Sequence, residues 1–248
     1  MNRTHRISSA FSAAAPTYDG AAQAQAHSAE ILAGRILELP LPPSPCVLEV
    51  GCGTGLLTRR LLPAVGGRWT VTDLAPAMVA AARRAIPEAE ADFRVMDGEN
   101  PDIVPGGVDL IVSNLAAQWF SDLPAALAAL IRCLAPGGAL ILTTLGAGSF
   151  AEWRQAHDHL SLPCGIPPYP TAAALAAMLP GGTRVNSRKL RIPYADGFAF
   201  LRALRAIGAD TPAEGYTPLS AGALRRVVAA LGRPCAVTYE VLTVEHRR

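Results

Sequence analysis

The clearest structural signal in the sequence is Val47-Leu48-Glu49-Val50-Gly51-Cys52-Gly53-Thr54-Gly55. An apolar run leads into a loop with glycine at every second position, and such a loop lets a ligand lie directly against the bare backbone. The spacing departs from the dinucleotide fingerprint G-x-G-x-x-G, since Leu56 stands where the third glycine would fall. A nicotinamide or flavin site is therefore disfavoured. Glu49, two positions before Gly51, instead suits the cationic amino group of an amino-acid moiety, directly or through water.

Short apolar runs alternate with helical patterns on both sides of this loop. We predict strands at residues 46–50, 69–72, 93–96, 108–112 and 139–144, with crossover helices at residues 56–62, 75–86 and 123–134. This alternation is typical of a parallel sheet with helices on both faces. The sequence therefore predicts an α/β protein of the doubly wound, Rossmann-like type.

The flanking segments extend this sheet into one domain spanning residues 1–248. A helical pattern at residues 20–38 ends at a proline-rich run, so residues 1–40 are interpreted as an N-terminal helical lid. Residues 46–145 form the predicted cofactor-binding core. Residues 149–232 are expected to supply cap helices with one strand at 190–194, and residues 236–245 a closing strand.

Composition excludes several classes of protein. The chain has 248 residues, of which 50% are hydrophobic and 17% charged, enough for a large core and unlike a disordered chain. No apolar run reaches the length of a membrane span. Serines interrupt the basic N-terminal segment, so an export signal is disfavoured and a cytoplasmic location is expected. The five cysteines show no C-x-x-C spacing and are expected to be reduced thiols. His157 and His159 point apart on a helix, which disfavours a metal site.

Charge is unevenly distributed along the chain. Residues 181–248 carry 11 Lys and Arg against 5 Asp and Glu, whereas residues 1–180 carry 11 against 15. A basic C-terminal region can contact a nucleic acid, a membrane or an acidic protein, and scattered arginines can equally form a solvated surface. The sign of the charge does not choose between these partners.

Acidic residues follow three consecutive predicted strands. Asp73, at the end of the second strand, can accept both hydroxyls of a ribose. Asp97 ends the third strand and can accept from an adenine amino group, while Met78 can pack on the adenine ring. Together with Glu49, these residues fit an adenosyl ligand that carries a positive sulfonium centre.

The loop motif and the strand-end acids resemble those of class I S-adenosylmethionine-dependent methyltransferases over residues 46–145. The resemblance implies a seven-stranded sheet whose last strand is antiparallel. It also implies contacts from Asn114 and Leu115 near the methionine end of the cofactor. The residues expected to bind the cofactor are Glu49, Gly51, Gly53, Gly55, Asp73, Leu74, Met78, Asp97, Gly98, Asn114 and Leu115.

A narrower resemblance covers nearly the whole chain. Several segments carry it, among them Ala10-Phe11 with Tyr18-Asp19 and Gln25, the run Ser113-Asn114-Leu115-Ala116-Ala117-Gln118-Trp119, and the run Leu201-Arg202-Ala203-Leu204-Arg205-Ala206-Ile207-Gly208-Ala209. They are similar to the malonyl-[acyl-carrier protein] O-methyltransferases of biotin synthesis. The resemblance implies methylation of the free carboxylate of a malonyl thioester, on an acyl carrier protein or on coenzyme A, without a metal. The sequence does not fix the oligomeric state, although a monomer is favoured.

The same resemblance suggests substrate-site residues. Arg202 is expected to hold the substrate carboxylate, since a guanidinium can form two hydrogen bonds to it, although Arg202 and Arg205 can equally lie on a solvated helix face. Tyr18 and Trp119 are expected to wall the reaction chamber, with Gln118 as a further polar contact. Acyl carrier proteins are acidic, so a basic docking surface is expected at Arg188, Lys189, Arg191, Arg225 and Arg226.

Three alternatives remain open at this stage. The chain can be a methyltransferase of another small-molecule acid, amine or phenol. It can be related to the arginine hydroxylase among complex I assembly factors, or be a non-catalytic assembly protein with the same fold. Nucleic-acid modification is disfavoured, because Ser113-Asn114-Leu115-Ala116 replaces the Asn-Pro-Pro-Tyr type of loop.

Overall fold

The computed structural model describes residues 3–88 and 90–248. Its centre is a seven-stranded sheet with the order β3-β2-β1-β4-β5-β7-β6. The strands are β1 (Cys46–Val50), β2 (Arg68–Asp73), β3 (Ala91–Val95), β4 (Val108–Asn114), β5 (Leu134–Leu145), β6 (Arg184–Tyr194) and β7 (Cys235–Arg247). Strands β1 to β5 are parallel, and β7 is antiparallel to both of its neighbours. The predicted doubly wound sheet with an antiparallel last strand is confirmed.

Helices precede, connect and follow the strands. They are α1 (Arg3–Ala14), α2 (Tyr18–Ala21), α3 (Gln23–Leu37), α4 (Thr58–Val65), α5 (Pro76–Ala85), α6 (Leu123–Cys133), α7 (Ala151–His159), α8 (Ala172–Ala177), α9 (Gly197–Ala206) and α10 (Ala221–Leu231). Several begin where the sequence offers a capping side chain. Asp122, for example, accepts from the Ala125 N–H at 3.0 Å and so starts α6. None of the described helices is long and apolar enough to cross a membrane.

The strands send alternate side chains into two separate cores. Val47 packs with Leu32 of α3 and Leu61 of α4, whereas its neighbour Leu48 packs with Leu127 of α6 on the opposite face. A third cluster lies between the sheet and the cap helices, around the fully buried Phe200. The sheet is therefore covered on both faces. A ligand can reach it where the strands end.

The direction of strand order reverses next to β1, and this reversal creates a crevice at the carboxyl ends of β1 and β4. The N-terminal helices lie across that crevice. Ser8 of α1 donates to the Leu74 carbonyl at 3.1 Å, and Arg3 donates to the Trp119 carbonyl at 2.6 Å. Residues from the very start of the described chain thus close a site built by the core.

Candidate active site

The glycine loop after β1 has a backbone that only glycine adopts readily. Gly51 and Gly53 have φ angles of 71° and 55°. A Cβ atom on Gly51 would also collide with the Cβ of Ala116 in the loop after β4. The two loops therefore approach each other closely, and their contact brings the ends of β1 and β4 into one site.

A cavity of about 90 Å³, which we name the loop cavity, lies against this loop. Eight residues predicted to bind a cofactor line it, namely Gly51, Gly53, Asp73, Leu74, Asp97, Gly98, Asn114 and Leu115. Its apolar wall comes from Ile7, Met96 and Phe120. The structure thus assembles most of the predicted cofactor residues around a single space.

Asp73 organises the polar side of the loop cavity. Its Oδ2 accepts from the Gly53 N–H and its Oδ1 accepts from the Ala75 N–H, each at 2.8 Å. Burial raises the pKa of this carboxyl, and the backbone donors oppose that shift. The carboxylate therefore holds the glycine loop in place and also faces the cavity.

Glu49 is more deeply buried than the sequence suggested. Its side chain is 1% exposed, does not line the loop cavity, and accepts from the Thr58 hydroxyl at 2.7 Å. Burial raises the pKa of Glu49 to about 8, against the lowering effect of the Thr58 hydrogen bond. Burial therefore favours the protonated form of this carboxyl near neutral pH.

Two other predicted cofactor residues also lie away from the cavity wall. Met78 is fully buried in the core cluster that contains Ala75 and Tyr18 and does not line the cavity, so its contact with an adenine ring stays a prediction. Helical spacing placed Met78 on α5 but did not show which face of that helix turns inward. Gly55 packs against Ala82 of α5, so its role is the close approach of loop and helix.

The loop after β4 is held by a network of hydrogen bonds. The Asn114 amide donates to the Gln25 carbonyl of α3 at 3.1 Å and accepts from the Thr143 hydroxyl at 3.0 Å. Leu115 has a φ of 49°, a left-handed conformation that is uncommon outside glycine, and its N–H donates to the Thr143 hydroxyl at 2.9 Å. The strained Leu115 therefore stands at a fixed position, as residues at ligand sites often do.

A larger cavity of about 430 Å³, which we name the cap cavity, lies between the sheet and the cap helices. Its wall is mainly aromatic and apolar and includes Phe150, Trp153, Tyr169, Tyr216 and Tyr239. A space of this size suits a small organic ligand. The cap cavity and the loop cavity share part of their walls, because Phe11, Tyr18, Leu115 and Trp119 line both.

Tyr18 stands where the two cavities meet. Its ring lies over the glycine loop, 3.8 Å from the position of a Cβ on Gly53. Burial raises the pKa of Tyr18 well above its usual value, so the hydroxyl stays neutral. Its neighbour Asp19 accepts from the Thr54 hydroxyl and from Arg59 at 3.1 Å, which fastens α2 to the loop.

The structure does not bring Arg202 to the cap cavity. Its side chain is 72% exposed and its guanidinium lies 4.0 Å from Asp196, on the outer side of α9. The face of α9 that lines the cavity carries Leu201 and Leu204, with Arg205 at its rim, 3.5 Å from Asp210. The role of Arg202 toward a substrate carboxylate stays a prediction, and it requires the side chain to leave its present position.

Trp119 and Gln118 lie at the cap cavity as the sequence suggested. The Trp119 ring meets Phe11 edge-on with ring centroids 5.3 Å apart. The Gln118 amide donates to the Leu115 carbonyl at 2.6 Å.

The sequence did not indicate that His157 also lines the cap cavity. Its spacing of four residues from Trp153 on a helix was the available signal, since such residues share a face.

The five cysteines are free thiols. Among residues 3–88 and 90–248, no group of three or more His, Cys, Asp or Glu side chains is arranged to hold a metal ion.

Comparison with known proteins adds to this geometry. Residues 47–138 match the family model described as a methyltransferase domain. The chain is 48% identical to the bifunctional biotin biosynthesis protein BioCD of Bordetella avium, covering 94% of this chain but 50% of that protein. It is 40% identical to the malonyl-[acyl-carrier protein] O-methyltransferase of Magnetococcus marinus, covering 97% and 92% of the two chains. Among solved structures, the YcgJ protein of Bacillus subtilis shares the fold with a TM-score of 0.65 at 16% identity, covering 88% and 98% of the two chains.

Proposed function

Because this chain belongs to the family of malonyl-[acyl-carrier protein] O-methyltransferases, we propose that it transfers a methyl group from S-adenosylmethionine to a malonyl thioester on an acyl carrier protein. The acceptor atom is an oxygen of the free malonyl carboxylate, and the product is a methyl ester that enters biotin synthesis. One observation carries the proposal from the structure. The loop cavity and the cap cavity share Phe11, Tyr18, Leu115 and Trp119, so a donor and an acceptor can meet there.

The loop cavity fits the methyl donor. The Asp73 carboxylate offers acceptors for ribose hydroxyls, and Asp97 offers one for the adenine amino group. Leu74, Met96 and Phe120 provide apolar surface for the ring. Glu49 supplies negative charge beneath the loop once a cationic ligand favours its ionised form.

The chemistry requires little of the protein beyond positioning. A malonyl carboxylate is ionised at neutral pH, so its oxygen can attack the methyl carbon without a general base. The new O–C bond forms as the C–S bond breaks, and the sulfur keeps the electron pair and becomes a neutral thioether. The residues around both cavities orient the reactants in line and exclude water.

Neutral hydroxyl groups are among the donors that line the cap cavity, where Arg205 stands at the rim. Tyr18 stands at the meeting point of the cavities, and its raised pKa keeps it a hydrogen-bond donor rather than an anion. A neutral donor orients the carboxylate while leaving it more nucleophilic than a guanidinium would. We therefore assign Tyr18 as the residue that contacts the substrate carboxylate.

Removal of the Tyr18 hydroxyl tests this role. We expect Tyr18→Phe to lower kcat/KM for the malonyl substrate by about tenfold, because a hydrogen bond to a charged group is lost. The dissociation constant for S-adenosylmethionine, measured by calorimetry, should stay within about twofold, since the ring that covers the loop remains. Tyr194→Phe is the matched control, since Tyr194 lines neither cavity. Equal losses in both measurements would remove Tyr18 from the substrate contact.

The predicted docking residues for the carrier protein are all exposed. They are Arg188, Lys189 and Arg191 on β6 with Arg225 and Arg226 on α10. Leu224, adjacent to Arg225, lines the cap cavity, so the α10 arginines lie close to the place where the substrate arm must enter. This closeness supports docking of an acidic carrier protein beside the cap cavity.

Mass spectrometry of the carrier protein tests the proposed reaction. Malonyl-acyl carrier protein incubated with this protein and S-adenosylmethionine should gain one methyl group that mild ester hydrolysis removes, and acetyl-acyl carrier protein should gain none. If docking is electrostatic, the rate should fall with salt for the carrier substrate and not for a small malonyl thioester. Absence of the methyl ester, with donor binding demonstrated by calorimetry, would overturn the assigned acceptor.

A further inference from the structure

His157 is a buried histidine whose tautomer is set by its surroundings. It lies in α7, is 1% exposed, and its Nδ1 is 2.8 Å from the Pro163 carbonyl oxygen. A carbonyl can only accept, so Nδ1 carries the proton and donates it there. The other ring nitrogen, Nε2, is left with a lone pair and acts as an acceptor.

This acceptor has no partner in the part of the chain that the structure describes. Nε2 is buried and makes no hydrogen bond to residues 3–88 or 90–248. The ring lines the cap cavity, and Trp153 packs edge-on against it with ring centroids 4.9 Å apart. Burial lowers the pKa of His157, so the ring stays neutral and Nε2 stays an acceptor. Buried acceptors are normally satisfied, and an orphan at a cavity wall points to a ligand donor.

Gln118, which also lines the cap cavity, carries a second unpaired acceptor. Its amide nitrogen donates to the Leu115 carbonyl at 2.6 Å, which fixes the orientation of the side chain. Its Oε1 is buried and unpaired among the described residues. Two residues of the cap-cavity wall therefore carry buried acceptors that only an N–H or O–H donor can satisfy, and both places are unfavourable for an anion.

We propose that His157 Nε2 accepts a hydrogen bond from the secondary amide nearest the sulfur in the thioester arm of the substrate. This inference rests on the function proposed above. The malonyl thioester itself offers only acceptors, since its carboxylate is ionised and its carbonyl has no proton. The first donor along a pantetheine-type arm is that amide. His157 lines the cap cavity and not the loop cavity, so it is not one of the shared residues where the carboxylate reacts, as the arm requires.

Two small substrates that differ in one group test the contact. One is the malonyl thioester of N-acetylcysteamine, which carries the amide; the other has the amide N–H replaced by an ester oxygen. We expect kcat/KM of the unmodified protein to be about tenfold lower for the ester, because its oxygen faces an acceptor. In His157→Phe this preference should fall to about one, since the acceptor is gone. His159→Phe, two residues along the same helix and exposed, should keep the full preference.

Each outcome decides the inference. Equal kcat/KM for the two thioesters in the unmodified protein would overturn it without any variant. A preference that persists in His157→Phe, or in His157→Leu if the phenylalanine variant does not fold, would assign the contact to another residue and overturn it as well. Methylation of neither thioester nor the carrier protein would overturn the proposed function, which is a separate result from methylation without amide preference.

Discussion

Asp73→Ala is expected to weaken binding of S-adenosylmethionine by about a hundredfold, because one carboxylate performs two tasks. It holds the Gly53 and Ala75 N–H groups at 2.8 Å, and it faces the loop cavity where ribose hydroxyls would lie. Alanine leaves both backbone donors unpaired and removes the acceptor for the ligand. Titration calorimetry of the variant measures the loss directly.

A matched variant separates this effect from general destabilisation. Asp92 lies on the neighbouring strand β3 with a side chain that is 60% exposed, so Asp92→Ala should bind the donor as the unmodified protein does. Asp73→Asn is a poorer probe, because its amide nitrogen would face one of the two N–H donors. Unchanged donor affinity in Asp73→Ala would remove Asp73 from the ribose contact and leave it a purely structural residue.

The sequence predicted the core of the sheet well because each strand there is buried on both faces. Strand β1 was predicted with its observed bounds, and its loop was predicted to be a ligand site, since alternate glycines after a buried strand let a ligand lie against the backbone. The edge of the sheet was harder. Strand β6 was predicted at residues 190–194 and begins at Arg184, because its first half is exposed and carries no apolar run.

The sequence did not show which face of each cap helix turns toward the cavity. Arg202 and Leu201 are adjacent on α9, yet only Leu201 lines the cap cavity. Which face of α9 turns inward depends on how Phe200 packs against Trp153, which is remote in sequence. His157 was weighed only as a metal ligand for a related reason. Its partner is a backbone carbonyl of Pro163, and no sequence pattern signals a carbonyl.

The wall between the cavities combines residues from distant parts of the chain. Phe11 and Tyr18 come from the N-terminal helices, and Leu115 and Trp119 come from the loop after β4. The N-terminal segment therefore completes the wall that the two cavities share. Asp19 of α2 accepts from Thr54 of the glycine loop and from Arg59 of α4, so the N-terminal helices are tied to the loop and to the helix that follows it.

Glu49→Gln is expected to stabilise the donor-free protein at alkaline pH and to weaken donor binding by about tenfold. Burial raises the pKa of Glu49 from about 4.5 to about 8, so folding favours the protonated carboxyl. The stability that Glu49 contributes is full below pH 4.5 and is lost progressively as pH rises to 8. Glutamine stays neutral throughout and avoids this loss, which is on the order of a few kcal/mol at pH 8 and above.

Thermal unfolding between pH 5 and pH 9 measures the expected stabilisation of Glu49→Gln at alkaline pH. The midpoint of Glu49→Gln should exceed that of the unmodified protein at pH 9, and the difference should shrink toward pH 5, where both side chains are neutral in the folded state. Glu38→Gln, at a carboxyl 73% exposed, should show no such pH-dependent gain. A difference that is constant across the pH range would show that Glu49 is ionised in the donor-free protein. If the prediction holds, the buried acid is retained at a cost in stability because its charge, formed when a cationic donor arrives, is needed for binding.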